Sequence, residues 1–212
     1  MKTHNAETYG TNILNAIIGK RFDYPKSLYA VHDAIRFFVA NKPNAIIIDF
    51  FSGSGTTLHA VNLLNAEDGG HRRCIMVTNN EVSADEAKTL KDKGYKPGDE
   101  EWEKLGIARY VTWPRTVCSI EGHDVNGNPL NGDYLGSEAP LHMADGFKAN
   151  AAFFKLSFLD STAVSLGMRF SEMLPTLWLK AGAKGKCPEL PGEQIPDMLI
   201  LPENKFAVLI NE

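Results

Sequence analysis

An α/β fold with a doubly wound, mostly parallel sheet is what this sequence predicts, and three observations predict it. Ile46-Ile47-Ile48 is a β-branched run that ends in Asp49-Phe50-Phe51. A Ser52-Gly53-Ser54-Gly55 turn follows, and Thr56-Thr57 then open a helical pattern, so the order is strand, tight turn, helix. A second apolar run at 73–78 comes after that helix and another helical pattern at 82–93 comes after the run, which is the alternation that builds parallel sheets. The 212 residues are 43% hydrophobic, enough for one core or for one core with a small appendage.

The elements follow in order. Residues 11–18 read as a short helix and 27–41 as a longer one, with Ser27 as N-cap and Pro25 keeping Tyr24 extended. Leu28, Val31, Ile35 and Phe38 recur at helical spacing and predict one buried stripe. Residues 45–51 are expected to be a buried core strand and 56–66 a helix. Glu86, Lys88, Lys91 and Asp92 mark the wet side of the helix at 82–93, and 99–118 is expected to continue helically with Trp102, Leu105 and Val111 buried. The turn chemistry of Asp124-Val125-Asn126-Gly127-Asn128-Pro129 and Asn131-Gly132-Asp133 predicts a β-hairpin within 119–136. Residues 151–159 are apolar enough for another core strand. Residues 161–181 read as a helix with Phe170, Leu174 and Leu177 on one face and a kink at Pro175. A proline-rich loop at 188–196 precedes a second hairpin, Met198–Leu201 with 206–210. The expected division is 1–160 for the main domain and 161–212 for a C-terminal helix and hairpin extension.

Composition excludes several classes. A net charge of −4 and a pI near 5.9 give no bulk attraction to nucleic acid, and Arg72-Arg73 and the lysines at 184–186 read as solvated surface. Cys74, Cys118 and Cys187 are far apart and lack zinc-ligand spacing, so free thiols in a reducing cytoplasm are expected. No signal peptide and no apolar run of ~18 residues is present, so no membrane span is expected. His32 and His59 read as satisfied core-edge histidines, and Trp102, Trp113 and Trp178 as packing residues.

Glycines in the turn allow close backbone approach to a ligand, and the helix start beyond it favours an anionic group. A phosphate-binding loop needs a lysine after its glycines, and none is here. A dinucleotide turn needs a third glycine where Leu58 stands. The stretch Asp49-Phe50-Phe51-Ser52-Gly53-Ser54-Gly55-Thr56-Thr57 closely resembles the Asp-Pro-Phe-x-Gly-Ser-Gly-Thr-Thr motif of amino-methylating DNA methyltransferases, with Phe50 in place of the proline. Tyr24-Pro25-Lys26-Ser27 resembles the Tyr-Pro-Lys-Pro/Ser motif that precedes it in enzymes of the β motif order. Residues 62–77 are similar to the Asn-x-x-Asp-Gly-Gly-x-Arg-Arg-x-Ile-x-Val stretch of Type III-like modification methylases, and Gly10-Thr11 to their Gly-Thr-x-x-Leu lead-in. The resemblance covers residues 9–118.

This resemblance implies a Rossmann-like S-adenosylmethionine (SAM)-binding fold and a site-specific DNA methyltransferase of the adenine-N6 kind, with cytosine-N4 left open. It implies a cofactor site made by Tyr24, Pro25, Lys26, Ser27, Asp49, Phe50, Phe51, Ser52, Gly53, Ser54, Gly55, Thr56 and Thr57. Asp49 would order the turn; Thr56 and Thr57 also read as plain N-caps, Lys26 as solvated, and Phe51 equally as core. Asn79 and Glu81 stand near the end of the second strand, where an acid usually holds the ribose; Glu81 reads equally as support for the next helix. The family's catalytic Asp/Asn/Ser-Pro-Pro-Tyr/Trp/Phe motif is missing, since none of the 11 prolines form a pair. The chain is therefore expected to be the C-terminal SAM-binding part of a longer enzyme, with little or no activity alone. Double-stranded DNA would be the partner of the full-length enzyme, with a restriction or helicase subunit and a homodimer as further candidates. A non-catalytic module for SAM or another adenosine ligand is the alternative.

Overall fold

The computed structural model describes residues 2–136, 139–190 and 195–210, which fall into two compact units, Met1–Phe153 and Phe154–Glu212. In the first unit α1 (Asn12–Ile18) is preceded by a π-helical turn, Glu7–Thr11, and followed by α2 (Leu28–Val39). Then come β1 (Ile46–Asp49), α3 (Thr56–Asp68), β2 (Arg73–Met76), α4 (Ala84–Asp92) and α5 (Glu100–Lys104). A π-helical turn, Ala108–Thr112, runs into α6 (Trp113–Glu121), and β3 (Asp133–Tyr134) pairs antiparallel with β4 (Leu141–His142). The second unit holds α7 (Ser161–Ser165), α8 (Phe170–Lys180), β5 (Met198–Leu201) and β6 (Phe206–Leu209). Among the described residues no helix is long and apolar enough to cross a membrane.

Leu14, Ile17 and Ile18 of α1, Leu28 and Tyr29 of α2, Ala60 and Leu63 of α3, and Val111 and Cys118 form one buried cluster with Tyr134 and Phe147. β1 and β2 pair in parallel with Ile46 opposite Arg73 and Asp49 opposite Met76, and α3 is their crossover. This β–α–β unit is all that the described residues show of the expected doubly wound sheet: their parallel sheet has 2 strands. β1 is not buried on both faces as expected. Its residues alternate, with Ile46 53% and Ile48 54% exposed, because helices cover only one face of the pair.

Several further expectations are corrected. Val31 and Ile35 are half-buried and Phe38 is exposed, and α2 buries Leu28, Tyr29 and His32 instead. The helical stretch 99–118 breaks after Lys104, leaving Trp102 and Val111 buried and Leu105 half-buried. Within 119–136 only an isolated bridge joins His123 to Pro129, and the ladder there is β3 with β4. Asp124 organises that turn by accepting from the N–H groups of Asn126 (2.8 Å) and Asn128 (2.9 Å). Residues 151–159 form no strand, and Leu156 and Phe158 are exposed. The chain passes there from one unit to the next, and Phe153 and Phe154 engage Trp113 and Trp178 rather than a strand edge. The helix expected at 161–181 is interrupted between Ser165 and Phe170, around Gly167 with φ +73°, while Pro175 lies inside α8. Phe170, Leu174 and Trp178, rather than Leu177, are its buried positions. β5 and β6 form the second hairpin, with Met198 opposite Leu209. Part of the loop expected at 188–196, residues 191–194, lies outside the described residues.

Arg72 is not solvated surface. Its guanidinium donates to Asp68 Oδ1 (2.9 Å) and Oδ2 (2.8 Å) and to the carbonyls of Val39 and Ala40, which end α2. A planar fork suits both a carboxylate and the orphan carbonyls of a helix C-terminus. Burial alone would raise the Asp68 pKa, and the Arg72 hydrogen bonds outweigh it and lower the pKa. Asn65 adds bonds to Arg72 N–H (3.0 Å) and C=O (2.9 Å), which fixes the passage from α3 into β2. Arg73, its neighbour, is exposed.

Candidate functional site

The site grows from the end of β1. Gly53 has φ +51° and Gly55 φ +77°, so both occupy the left-handed region that favours glycine. A Cβ on Gly55 would also come within 3.2 Å of Thr112 Cγ2. The turn is closed by Gly55 N–H donating to Ser52 C=O at 2.8 Å, and Ser52 N–H reaches Val77 C=O at 3.4 Å.

Asp49 spans this turn. Its Oδ1 accepts from Phe51 N–H at 3.3 Å and its Oδ2 accepts from Thr57 Oγ1–H at 2.5 Å. Thr56 and Thr57 are therefore not N-caps. Gly55 holds the cap position of α3 and no side chain caps the helix, so its first N–H groups are presented at the turn.

Beneath the turn lies a buried polar network. Arg115 Nη1–H groups donate to Ser54 C=O (3.2 Å), Ser54 Oγ (3.1 Å) and Thr56 Oγ1 (2.8 Å), and Thr112 Oγ1–H donates to Gly53 C=O at 2.6 Å. Arg115 Nε–H points to His59 Nδ1 at 3.4 Å. Arginine only donates, so Nδ1 accepts, the proton sits on Nε2, and Nε2–H donates to Tyr134 Oη at 2.8 Å. Burial, reinforced by the Arg115 charge, holds the His59 pKa well below its ordinary 6.5, so the ring is neutral. Burial also brings the Arg115 pKa down to about 10, which leaves it charged at neutral pH. Arg115 Nη2 and Ser52 Oγ are buried without a hydrogen-bond partner among the described residues.

The segment before α2 reaches the same place. Ser27 caps α2 by accepting from Ala30 N–H at 3.4 Å and anchors the N-terminal segment by donating to Thr3 C=O at 3.0 Å. Gly10 packs against this segment so closely that a Cβ there would lie 2.7 Å from Pro25 C=O. An open groove of about 550 Å³ runs along α2, lined by Lys26, Ser27, Val31, Ile35, Phe38 and Thr57 among others. It joins the segment before α2 to the first turn of α3.

The other expected site residues distribute unevenly. Pro25 is buried; Tyr24 (91% exposed), Phe50 and Phe51 (85%) project into solvent, so Phe51 is not core. Asn79 and Glu81 are exposed and are in contact with each other at 3.4 Å. The residue that packs there is Asn80, which donates to Glu103 C=O at 2.7 Å and accepts from Arg109 N–H. Sequence reasoning missed Thr112, Arg115 and Tyr134, while His59 is the satisfied, buried histidine it was read as. Thr112 and Arg115 stand one helical turn apart, but a Thr-x-x-Arg spacing reads as an ordinary helix face until the turn is placed against it.

Residues 2–117 match the family model described as DNA methylase, of the N6/N4 group. The chain is 45% identical over 71 residues to the Type II methyltransferase M.KpnI of Klebsiella pneumoniae, a stretch that is 33% of this chain and 16% of that protein. It is 32% identical over 93 residues to the Type III restriction-modification enzyme EcoPI Mod subunit of Escherichia phage P1, covering 44% of this chain and 14% of the other. Over 79 residues it is 39% identical to the StyLTI Mod subunit of Salmonella typhimurium, covering 37% and 12%. The chain thus matches less than a fifth of the length of each of these relatives.

Proposed function

The chain belongs to the DNA methylase family whose model spans residues 2–117, and from that membership we propose that its first unit is the S-adenosylmethionine-binding part of a site-specific DNA methyltransferase acting on adenine N6. One observation carries the cofactor reading. Lys26 and Ser27, from the segment before α2, and Thr57, from the first turn of α3 just after the glycine turn, line one groove although they are distant in sequence. Segments from two motifs with no local reason to meet thus border one groove beside the start of a helix, a setting that favours an anionic ligand group.

Bound there, S-adenosylmethionine supplies an electrophilic methyl group. The work of this chain is to orient it. Gly53 and Gly55 would let the backbone approach, the N–H groups at the start of α3 would favour its anionic end, and Asp49 with Thr57 keeps the turn in shape. Positioning and electrostatics, rather than covalent catalysis, are the contribution expected of the protein in such a transfer. The chain contains no Pro-Pro pair, so we assign it little or no methyl transfer on its own. That absence also favours a second reading, a module that binds the cofactor without catalysis. Because the relatives include a Type II methyltransferase and two Type III restriction-modification Mod subunits, we extend to the whole enzyme a DNA substrate and a restriction partner; double-stranded DNA, a helicase subunit and a homodimer are further parts of the same proposal.

Isothermal titration of the purified chain with S-adenosylmethionine, with NAD as control, tests the reading. Selective binding of the former, abolished by Asp49→Ala, is expected. A folded chain that binds neither, or prefers NAD, overturns it.

A further inference from the structure

Two arginines of the first unit are almost fully buried, and they are satisfied in different ways. Arg72 has the Asp68 carboxylate at 2.8 Å. Arg115, 1% exposed, makes all its hydrogen bonds to neutral groups: Ser54, Thr56 and the neutral His59 ring. Among the described residues no carboxylate pairs with it, and Nη2 has no partner at all. A buried cation without a counter-charge is costly, and an apolar side chain of similar size would usually be the more stable choice. Its bonds to Ser54 and Thr56 all go to the glycine turn and the first residue of α3, and Nε reaches His59 one turn further along. The start of α3 carries partial positive charge of the same sign. One thing would compensate both features, an anion seated on the turn.

We propose that Arg115 is a positioning residue of the cofactor site, clamping the glycine turn from beneath and lending its uncompensated charge to the carboxylate end of the bound ligand. The proposal rests on the reading of the site as one for S-adenosylmethionine, and deepens it by naming the residue that recognises the amino-acid end. Arg115 acts through the turn and through the field, with Ser54 and Thr56 between it and the ligand. Thr112, bonded to Gly53 C=O, holds the other half of the turn.

The test compares two probes that share an adenosine thioether and differ in the amino-acid end, its carboxylate and ammonium together. S-adenosylhomocysteine carries the amino-acid end; 5′-methylthioadenosine lacks it. Each is titrated into the full chain as wild type, Arg115→Met and Arg115→Lys, with folding checked by circular dichroism. Wild type is expected to prefer S-adenosylhomocysteine. Arg115→Met is expected to weaken that probe ~10-fold or more, the scale of one charge-assisted interaction, and to leave 5′-methylthioadenosine nearly unchanged. Arg115→Lys, which keeps the charge but not the fork, should retain part of the preference. Equal losses for both probes would mean that Arg115 only shapes the turn, and the proposal fails; so it does if wild type binds both probes alike or if Arg115→Met changes neither. Should Arg115→Met not fold, Arg115→Lys decides, a retained preference for S-adenosylhomocysteine supporting the proposal and an equal fall overturning it. A folded wild type that binds neither probe overturns the cofactor reading itself, and the proposal with it.

Discussion

On one side of the β1–β2 pair, α3 and residues 112–115 close over the glycine turn with buried, hydrogen-bonded polar groups; on the other, Ile46, Ile48, Ile75 and Val77 stand largely in solvent. The two sides differ in what completes them. The polar side is finished within the described residues by side chains from the Ala108–Thr112 turn, α6 and β3. The apolar side has no covering layer among them, although its residues are those of a strand meant to be covered. Polar closure needs particular atoms at particular distances, and this chain supplies them. Apolar closure needs only area, and on this face that area is left open.

The sharpest test of the polar side is acidification. Because burial depresses the His59 pKa, the unfolded chain takes up a proton below about pH 6.5 that the folded chain refuses, so stability should fall as pH drops from there. His32 acts in the opposite sense. Burial disfavours its charge, but hydrogen bonds to Glu67 and Asp33 outweigh burial and raise its pKa. Its contribution is complete below about pH 6.5 and is lost as pH rises through the raised value. Thermal melts from pH 8 to pH 5 should show His59→Gln flattening the acid-side loss and His32→Gln flattening the loss on the alkaline side. An unchanged acid limb in His59→Gln would mean that the buried ring does not govern it.

Gly55→Val is expected to cost ~3 kcal/mol, from a left-handed backbone and a clash with Thr112, and to remove cofactor binding. Urea melts and titration of the same sample measure both. Thr112→Val removes the donor to Gly53 C=O and should cost about 1.5 kcal/mol by the same melts. The outer face should be nearly silent: Ile48→Thr is expected to shift stability by no more than about 0.5 kcal/mol. A loss of several kcal/mol there would mean that the face is covered in solution, and the contrast between the two sides would disappear.

Much of this was legible in the sequence. The β-branched run, the paired glycines and Ser27 before an amphipathic segment are local signals, and β1, the turn, α3 and the cap of α2 stand where they point. The stretch 62–77 was legible as a motif, but its physical content was not. Arg72 reads as a surface charge until the ends of α2 and α3 are brought to it. Residues 151–159 misled because apolar composition states a need for burial without saying what provides it, and ring contacts with Trp113 and Trp178 took the place of a ladder. Thr112 and Arg115 were invisible because their partners lie 59 and 61 residues earlier in the chain.

That separation shapes how the protein assembles. The unit from β1 through α3 to β2 is contiguous, and its loop-closure entropy is modest. The clamp on its glycine turn belongs to a later segment and must wait for a long loop to close. The turn is thus expected to form early and unlocked, and to rigidify only when α6 docks. Substitutions at Arg115 or Thr112 should accelerate unfolding far more than they slow folding, whereas Leu63→Ala, in the heart of the crossover helix, should slow folding itself.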